Sequence, residues 1–294
     1  MSARPTLWLL DGHYQIFRAY HAMPDLRAPD GTPVGALRGY AATLVKLLAE
    51  QKPTHVAAAW DHELTSFRNE LHPGYKAGRT EAPPDLEPQF ALCAELTESL
   101  GVRVVGVPRF EADDVIATLT ARALDRGADV VIATVDKDLA ALVSDRVSLF
   151  DPRSDSLVGP AGVEERLGVP PDLVPDFLTL VGDAVDNVPG VPGIGAKTAA
   201  LLLRRFGRIE SIPADAREWA GVGVRGAERV ARALAENRAG IALARSLVRM
   251  REDLPLELEL ADLAWPGADR AGFAAFCERL GIRGLAERVP RYRD

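Results

Sequence analysis

Apolar positions in the first half of the chain follow two rhythms. Short unbroken runs occur in "TLWLLD" (6–11), "THVAAAWD" (54–61) and "ADVVIATVD" (128–136), with fainter ones in "RVVGV" (103–107) and "VSLFD" (147–151). Their length predicts buried strands. Between them, apolar residues recur at helical spacing in "GALRGYAATLVKLLAEQ" (35–51), "PQFALCAELTESLG" (88–101) and "EADDVIATLTARALDRG" (111–127). Unbroken apolar strands alternating with helices predict an α/β fold, a mainly parallel central sheet flanked by helices. From about Pro170 the strand signals fade, and helical patterns with glycine breaks run to about Arg251. The expected division is an α/β core over 1–172, an α-helical module over 173–265 and a C-terminal helical segment over 266–294 that packs back. "LPLELEL" (254–260) reads as a return segment and "DRAGFAAFCERLG" (269–281) as the closing helix. Residues 62–87 are polar, proline-containing and without period. A connection that long is functional or disordered.

Composition narrows the class. Hydrophobic content of 47% and charged content of 26% over 294 residues fit a globular chain with its own core. Cys93 and Cys277 form no CxxC and no zinc pattern, which points to a cytoplasmic protein. The N-terminal run "TLWLL" is too short for a signal peptide, and no apolar stretch approaches the ~20 residues of a membrane span. The net charge of −7, taken as a total, argues against nucleic acid.

The placement of the acids points the other way. Three predicted strands end in Asp: Asp11, Asp61 and Asp136. One such Asp is ordinarily a helix cap or turn residue. Three at one edge of a sheet mark the place where open α/β folds build their sites. "FEADDVIATL" adds Glu111, Asp113 and Asp114 at a helix start, more acid than one cap needs. "ATVDKDLAAL" sets Asp136 and Asp138 around Lys137, and "GDAVDN" sets Asp183 and Asp186 three apart. Packed carboxylates raise one another's pKa and destabilise a fold. Divalent cations relieve that strain, and Mg²⁺ or Mn²⁺ prefers carboxylate oxygen and water. Nine acids suit two such ions. No His/Cys cluster and no HExxH points to zinc. Setting the nine aside turns −7 into +2, so a focused acidic site hides a slightly basic remainder and nucleic acid is again open as a partner.

"GVPGIGAKTAALLL" (190–203) is not a phosphate-binding P-loop, because Ala196 stands where the Lys belongs and Lys197 comes one residue late. GxGxxG fails at Thr198. The stretch looks like a helix-hairpin-helix turn. Gly193 and Gly195 would let the backbone approach a phosphate, the N–H groups at the following helix start would hold it, and Lys197 and Thr198 would add side-chain contacts. Such contacts grip a strand without reading bases. A plain turn between two core helices is the ordinary alternative.

Together these motifs resemble the 5′-nuclease family, the N-terminal 5′→3′ exonuclease domain of bacterial DNA polymerase I with related phage and flap endonucleases. "LLDGHYQIFRAYHAMP", "AWDHELTSFRNELHPGYKAGR", "FEADDVIATL", "ATVDKDLAALVSD" and "LVGDAVDNVPGVPGIGAKTAALLL" carry the likeness, with "LVRMREDLPLELEL" softer, over about residues 7–260. The resemblance implies a PIN-like or resolvase-like core with a helix-hairpin-helix (H3TH) module and an arch over about 62–95. It implies a first metal held by Asp11, Asp61, Glu111, Asp113 and Asp114, and a second associated with Asp136, Asp138, Asp183 and Asp186. Arg68, Lys76 and Arg79 fall in the arch as catalytic cations for the scissile phosphate, and Tyr75 as a residue stacking on a base. A K⁺ at the hairpin loop is a further option. The implied activity is two-metal hydrolysis of DNA at a 5′ end, flap or junction, in replication and repair, by a monomer in the cytoplasm at the nucleoid, with no membrane and with a replication or repair polymerase as partner. The alternatives are a non-catalytic binder of branched DNA, a PIN-like ribonuclease and, less suited to a duplex-gripping loop, a small-molecule phosphatase. Met1 and the tail "RVPRYRD" lean towards a stand-alone nuclease.

Overall fold

Leu7 and Leu9 of the first strand, β1 (Thr6–Asp11), enter one apolar cluster, and Trp8 and Leu10 enter another. Successive side chains of a strand point to opposite faces, so β1 sits between two cores. The computed structural model describes residues 4–63, 65–79 and 81–293; Met1, which carried the stand-alone expectation, lies outside them. The chain continues through α1 (Gly12–Ala22), α2 (Gly35–Gln51), β2 (His55–Ala59), α3 (Phe67–Leu71), α4 (Glu87–Ser99), β3 (Arg103–Val105) and α5 (Ala112–Asp125). Then come β4 (Asp129–Ala133), β5 (Val147–Asp151), β6 (Ser156–Val158), α6 (Pro160–Leu167), α7 (Val174–Val181), α8 (Ala196–Phe206), α9 (Ala227–Glu236) and α10 (Arg238–Val248). A two-stranded β7 (Ala268–Asp269) and β8 (Tyr292–Arg293) bracket α11 (Arg270–Arg279).

The six-stranded sheet has the order β3-β2-β1-β4-β5-β6. Its neighbours are parallel except the β5–β6 pair, so the expected mainly parallel sheet is present. From β1 the chain builds outward on one edge to β2 and β3, then returns to the other edge with β4. Such a reversal opens a crevice at the strands' carboxyl ends. β2 and β4 stop short of their predicted Asp61 and Asp136, which lie in the turns just beyond.

α5 covers one face of the sheet together with the helical module. Leu178 of α7, Leu202 and Leu203 of α8 and Val230 of α9 share a cluster with Leu9 and Ile132. The other face carries residues of α1, α2, α4 and α11. The module is therefore seated on the sheet by a common core. The expected arch of 62–95 is too long at its far end, because α4 begins at Glu87 and buries Cys93 and Leu96 in the second core. No helix among the described residues is long and apolar enough to cross a membrane.

Candidate active site

The strand ends gather the acids as the topology requires. Asp11 closes β1 and caps α1, accepting the Tyr14 N–H at 3.1 Å. Asp61, just past β2, accepts the Ala112 N–H at 2.8 Å, so it is tied to the start of α5. Glu111 is the cap of that helix. Asp136, past β4, accepts the Asp138 N–H at 2.9 Å, while its own N–H donates to Thr134 Oγ1. Thr134 also reaches Asp11 Oδ2 at 3.4 Å. Asp183 and Asp186 share a turn in which Asp183 Oδ1 accepts the Val185 N–H at 2.8 Å.

Charge compensation divides the nine. Among the described residues, Glu111, Asp114, Asp183 and Asp186 each pair with a Lys or Arg, and Asp61 meets His13 at 3.5 Å. Asp11, Asp113, Asp136 and Asp138 pair with no Lys or Arg among the described residues. Burial, partly offset by the Tyr14 N–H, and the charges of Asp61 and Asp136 push Asp11 up to about 7. Burial and the charges of Asp136 and Asp11 push Asp113 well above the carboxylate range. Burial and Asp136 push Asp138 up to about 7. Asp138 Oδ1 is moreover buried without a hydrogen-bond partner among the described residues.

These four carboxylates run from the first expected ion position into the second. An oxygen-only set with a bare buried oxygen and unrelieved repulsion fits divalent cations of the Mg²⁺ type. Among the described residues, no three acid, His or Cys side chains close into a ready-made cage. Mg²⁺ needs few protein ligands, since it keeps waters and takes substrate phosphate oxygens.

Three cations stand at the rim. Lys76 Nζ is 3.0 Å from Glu111 Oε2, Arg79 Nε is 2.8 Å from Asp186 Oδ1, and Lys137 Nζ is 2.6 Å from Asp183 Oδ2. Burial works to raise both Glu111 and Asp183, yet Lys76 and Arg68 hold Glu111 below the ordinary range and Lys137 does the same for Asp183. The backbone at 74–76 is clipped to the acidic turn: the Lys76 N–H donates to Asp186 O, and Asn187 donates to Gly74 O.

Three expectations are corrected here. Arg68 does not face a phosphate. It is 2% exposed, and its guanidinium donates to both oxygens of Asp114 at 2.7 and 2.8 Å, to Leu247 O at 2.7 Å and to Arg249 O at 3.2 Å. Asp114 is not a free metal ligand, because it is 0% exposed and also accepts the N–H groups of Glu111 and Arg251. The pair is an internal brace joining α3, α5 and the end of α10. Tyr75 does not offer a stacking face: it is packed against Val188, Ala244 and Leu247, with its hydroxyl donating to Glu111.

Two supporting residues were missed. His13 accepts the Asp61 N–H at Nδ1, stacks on Phe90 and borders Trp60. Burial lowers its pKa against the opposing charge of Asp61, and the ring, accepting at Nδ1, orients Asp61. Ser66 Oγ donates to Glu111 Oε1 at 2.9 Å. A His two residues after a strand-end Asp was a visible signal; Ser66 had none.

The hairpin lies between α7 and α8. Gly182 and Gly190 let two backbone runs cross, since a Cβ on Gly190 would lie 2.2 Å from Val181 O. Gly193, Gly195 and Lys197 are exposed, Thr198 half-buried, and an added Cβ on either glycine meets nothing within 4 Å. The packing therefore does not demand glycine at Gly195, whose φ of −95° is open to any residue. The bare surface beside the first turn of α8 is what a phosphate approach needs.

A mainly parallel sheet with acids at its carboxyl edge and a helical hairpin beside it defines a resolvase-like nuclease domain with its attached module. The family "5′-3′ exonuclease, N-terminal resolvase-like domain" matches residues 6–168, and "5′-3′ exonuclease, C-terminal SAM fold" matches residues 169–271. The chain belongs to the 5′-3′ exonuclease family. The family is one of nucleases, and the oxygen-only set of acids fits divalent cations. It is 40% identical to DNA polymerase I of Rhizobium leguminosarum, matching 96% of this chain and 28% of the relative. With the thermostable DNA polymerase I of Thermus thermophilus it shares 41% identity over 94% of this chain and 32% of the relative. The chain thus spans about a third of these relatives. In fold it is similar to the T5 5′-exonuclease with bound divalent metal ions (zinc), at TM-score 0.67 and 23% identity, covering 96% of this chain and 99% of that one. It is also similar to the catalytic core of Rad2 in complex with DNA substrate, at TM-score 0.61 and 15% identity, covering 97% and 90%.

Proposed function

We propose that the chain cleaves DNA phosphodiesters at a 5′ end, flap or junction, acting as a 5′→3′ exonuclease and 5′-flap endonuclease in replication and repair. The observation that carries this reading is the row of acids without an ion-pair partner among the described residues, Asp11, Asp113, Asp136 and Asp138, beside a hairpin whose Gly193 and Gly195 are bare. Two divalent ions, Mg²⁺ or Mn²⁺, would when bound supply an acidified water and charge to neutralise an in-line displacement. Asp11, Asp61, Glu111 and Asp113 serve one position, and Asp136, Asp138, Asp183 and Asp186 the other. Lys76 and Arg79 turn from their carboxylates to the entering phosphate. Gly193, Gly195, Lys197 and Thr198 grip the duplex backbone a short distance away, with a K⁺ at the loop as a further ion of the same reading. The enzyme works as a monomer in the cytoplasm, at the nucleoid, beside a replication or repair polymerase.

Cleavage of a 5′-labelled flap duplex with Mg²⁺ tests this, with Asp183→Ala beside the wild type. Cutting near the junction that Asp183→Ala cripples is the expected result. Salt-sensitive binding of the duplex without cutting would leave a branched-DNA binder, and preferred cutting of RNA would leave a ribonuclease.

A further inference from the structure

The acids of the second ion position sit on two turns, Asp136 and Asp138 on one, Asp183 and Asp186 on the other. Lys137 lies between the first two in sequence and reaches the third in space, with Nζ 2.6 Å from Asp183 Oδ2. The charges of Asp136 and Asp138 act on the same ammonium. In the same turn, Asp138 Oδ1 is buried without a partner among the described residues. The Lys137 side chain is 45% exposed, and Asp183 is the one side chain its Nζ bonds among the described residues. Arg79 neutralises Asp186 in a similar way but comes from the arch segment. Lys137 belongs to the ligand turn itself.

We propose that Lys137 is the internal counter-ion of the second metal position, neutralising Asp183 while that ion is away and swinging into solvent when it binds. The inference rests on the two-ion reading above. The exchange is physically balanced. A half-exposed lysine recovers its hydration on release, so little is lost with an ion pair of this kind. The arriving cation brings two charges for one and engages several carboxylates. The same lysine bridges the two turns in the metal-free chain through its ion pair with Asp183. Affinity for the second ion is therefore set partly by a competitor built into the chain.

The test is a Mn²⁺ titration of the full chain without DNA, reading free Mn²⁺ by its electron paramagnetic resonance signal, for wild type, Lys137→Met and Lys137→Arg. Lys137→Met should tighten the weaker Mn²⁺ about fivefold, the equivalent of ~1 kcal/mol at 1.4 kcal/mol per decade. Lys137→Arg should restore the wild-type isotherm, and thermal melting should show all three folded. Unchanged or weakened binding of the second Mn²⁺ in a folded Lys137→Met overturns the proposal. One Mn²⁺ or none bound per wild-type chain overturns the two-ion reading and the proposal with it. The tighter Mn²⁺ in Lys137→Met, found alongside a wild type that cuts no flap, supports the role of Lys137 and removes only the nuclease assignment.

Discussion

The two halves of the acidic site are made of the same residue types and held in different ways. Asp11, Asp61, Glu111, Asp113 and Asp114 are fixed by strand ends, helix caps and the buried Arg68 brace. Asp136, Asp138, Asp183 and Asp186 ride on turns, and their charge partners, Lys137 and Arg79, are about half exposed. Buried, well-formed pairs are costly to break, whereas exposed pairs contribute little. One half is a rigid frame built during folding. The other is an adjustable edge, able to change partners as ions and phosphate arrive. Rigid positioning on one side with exchangeable counter-ions on the other suits a site that must hold a nucleophile in place and still admit a polyanion.

The sharpest way to break this comparison is in the frame. Asp113→Asn should lower flap cleavage by more than ~10²-fold, because losing even an outer partner of a metal ligand costs up to about that much. It should also raise the melting temperature of the metal-free chain, since a half-buried carboxylate facing Asp136 and Asp11 is removed. Lower stability in Asp113→Asn would mean that the acid is structural.

Arg68→Met comes next. It leaves Asp114 at 0% exposure without its guanidinium partner, held only by the Glu111 and Arg251 N–H groups, which should cost about 3–5 kcal/mol in urea unfolding. The double variant Arg68→Met, Asp114→Leu should recover most of that loss. A comparable loss on removing Arg79 would erase the distinction between frame and edge.

The pH dependence is a smaller effect. Asp11 and Asp138, raised from 3.8 to about 7 by burial and neighbouring charge, keep their protons in the folded chain after the unfolded chain has lost them. Their stabilisation is complete below about pH 4 and is lost as pH rises through about 7. Glu111 and Asp183, held low, act oppositely, losing their contribution only in stronger acid. The metal-free melting temperature should fall by roughly 5 °C between pH 5 and pH 8, and saturating Mg²⁺ at pH 8 should restore it. A flat profile would show that the row of acids is already neutralised.

Outside both halves, Lys197→Ala should weaken duplex binding a few-fold and lower the slope of log affinity against log salt by about 1. Binding measured over a salt series decides it, and an unchanged slope would remove Lys197 from the grip.

The strand and helix pattern, the α/β class and the clustering of acids at one sheet edge were legible because they depend on local sequence: apolar runs, helical spacing and strand-terminal Asp. The run 35–51 is helical as far as its pattern extends, and 147–151 is a strand as far as its pattern extends. The weaker elements α1, α3 and β6 left no periodicity to follow. Sequence spacing also drew Asp113 and Asp114 as equals. Only the tertiary structure separates them, turning Asp113 towards the row of bare acids and Asp114 onto Arg68, Glu111 and Arg251. The same holds for Arg68 and Tyr75, which read as arch residues and are buried against α10. Residue type states what a side chain is able to do. Whether it is free to do so depends on which distant segments fold against it, and that is a property of the packed chain.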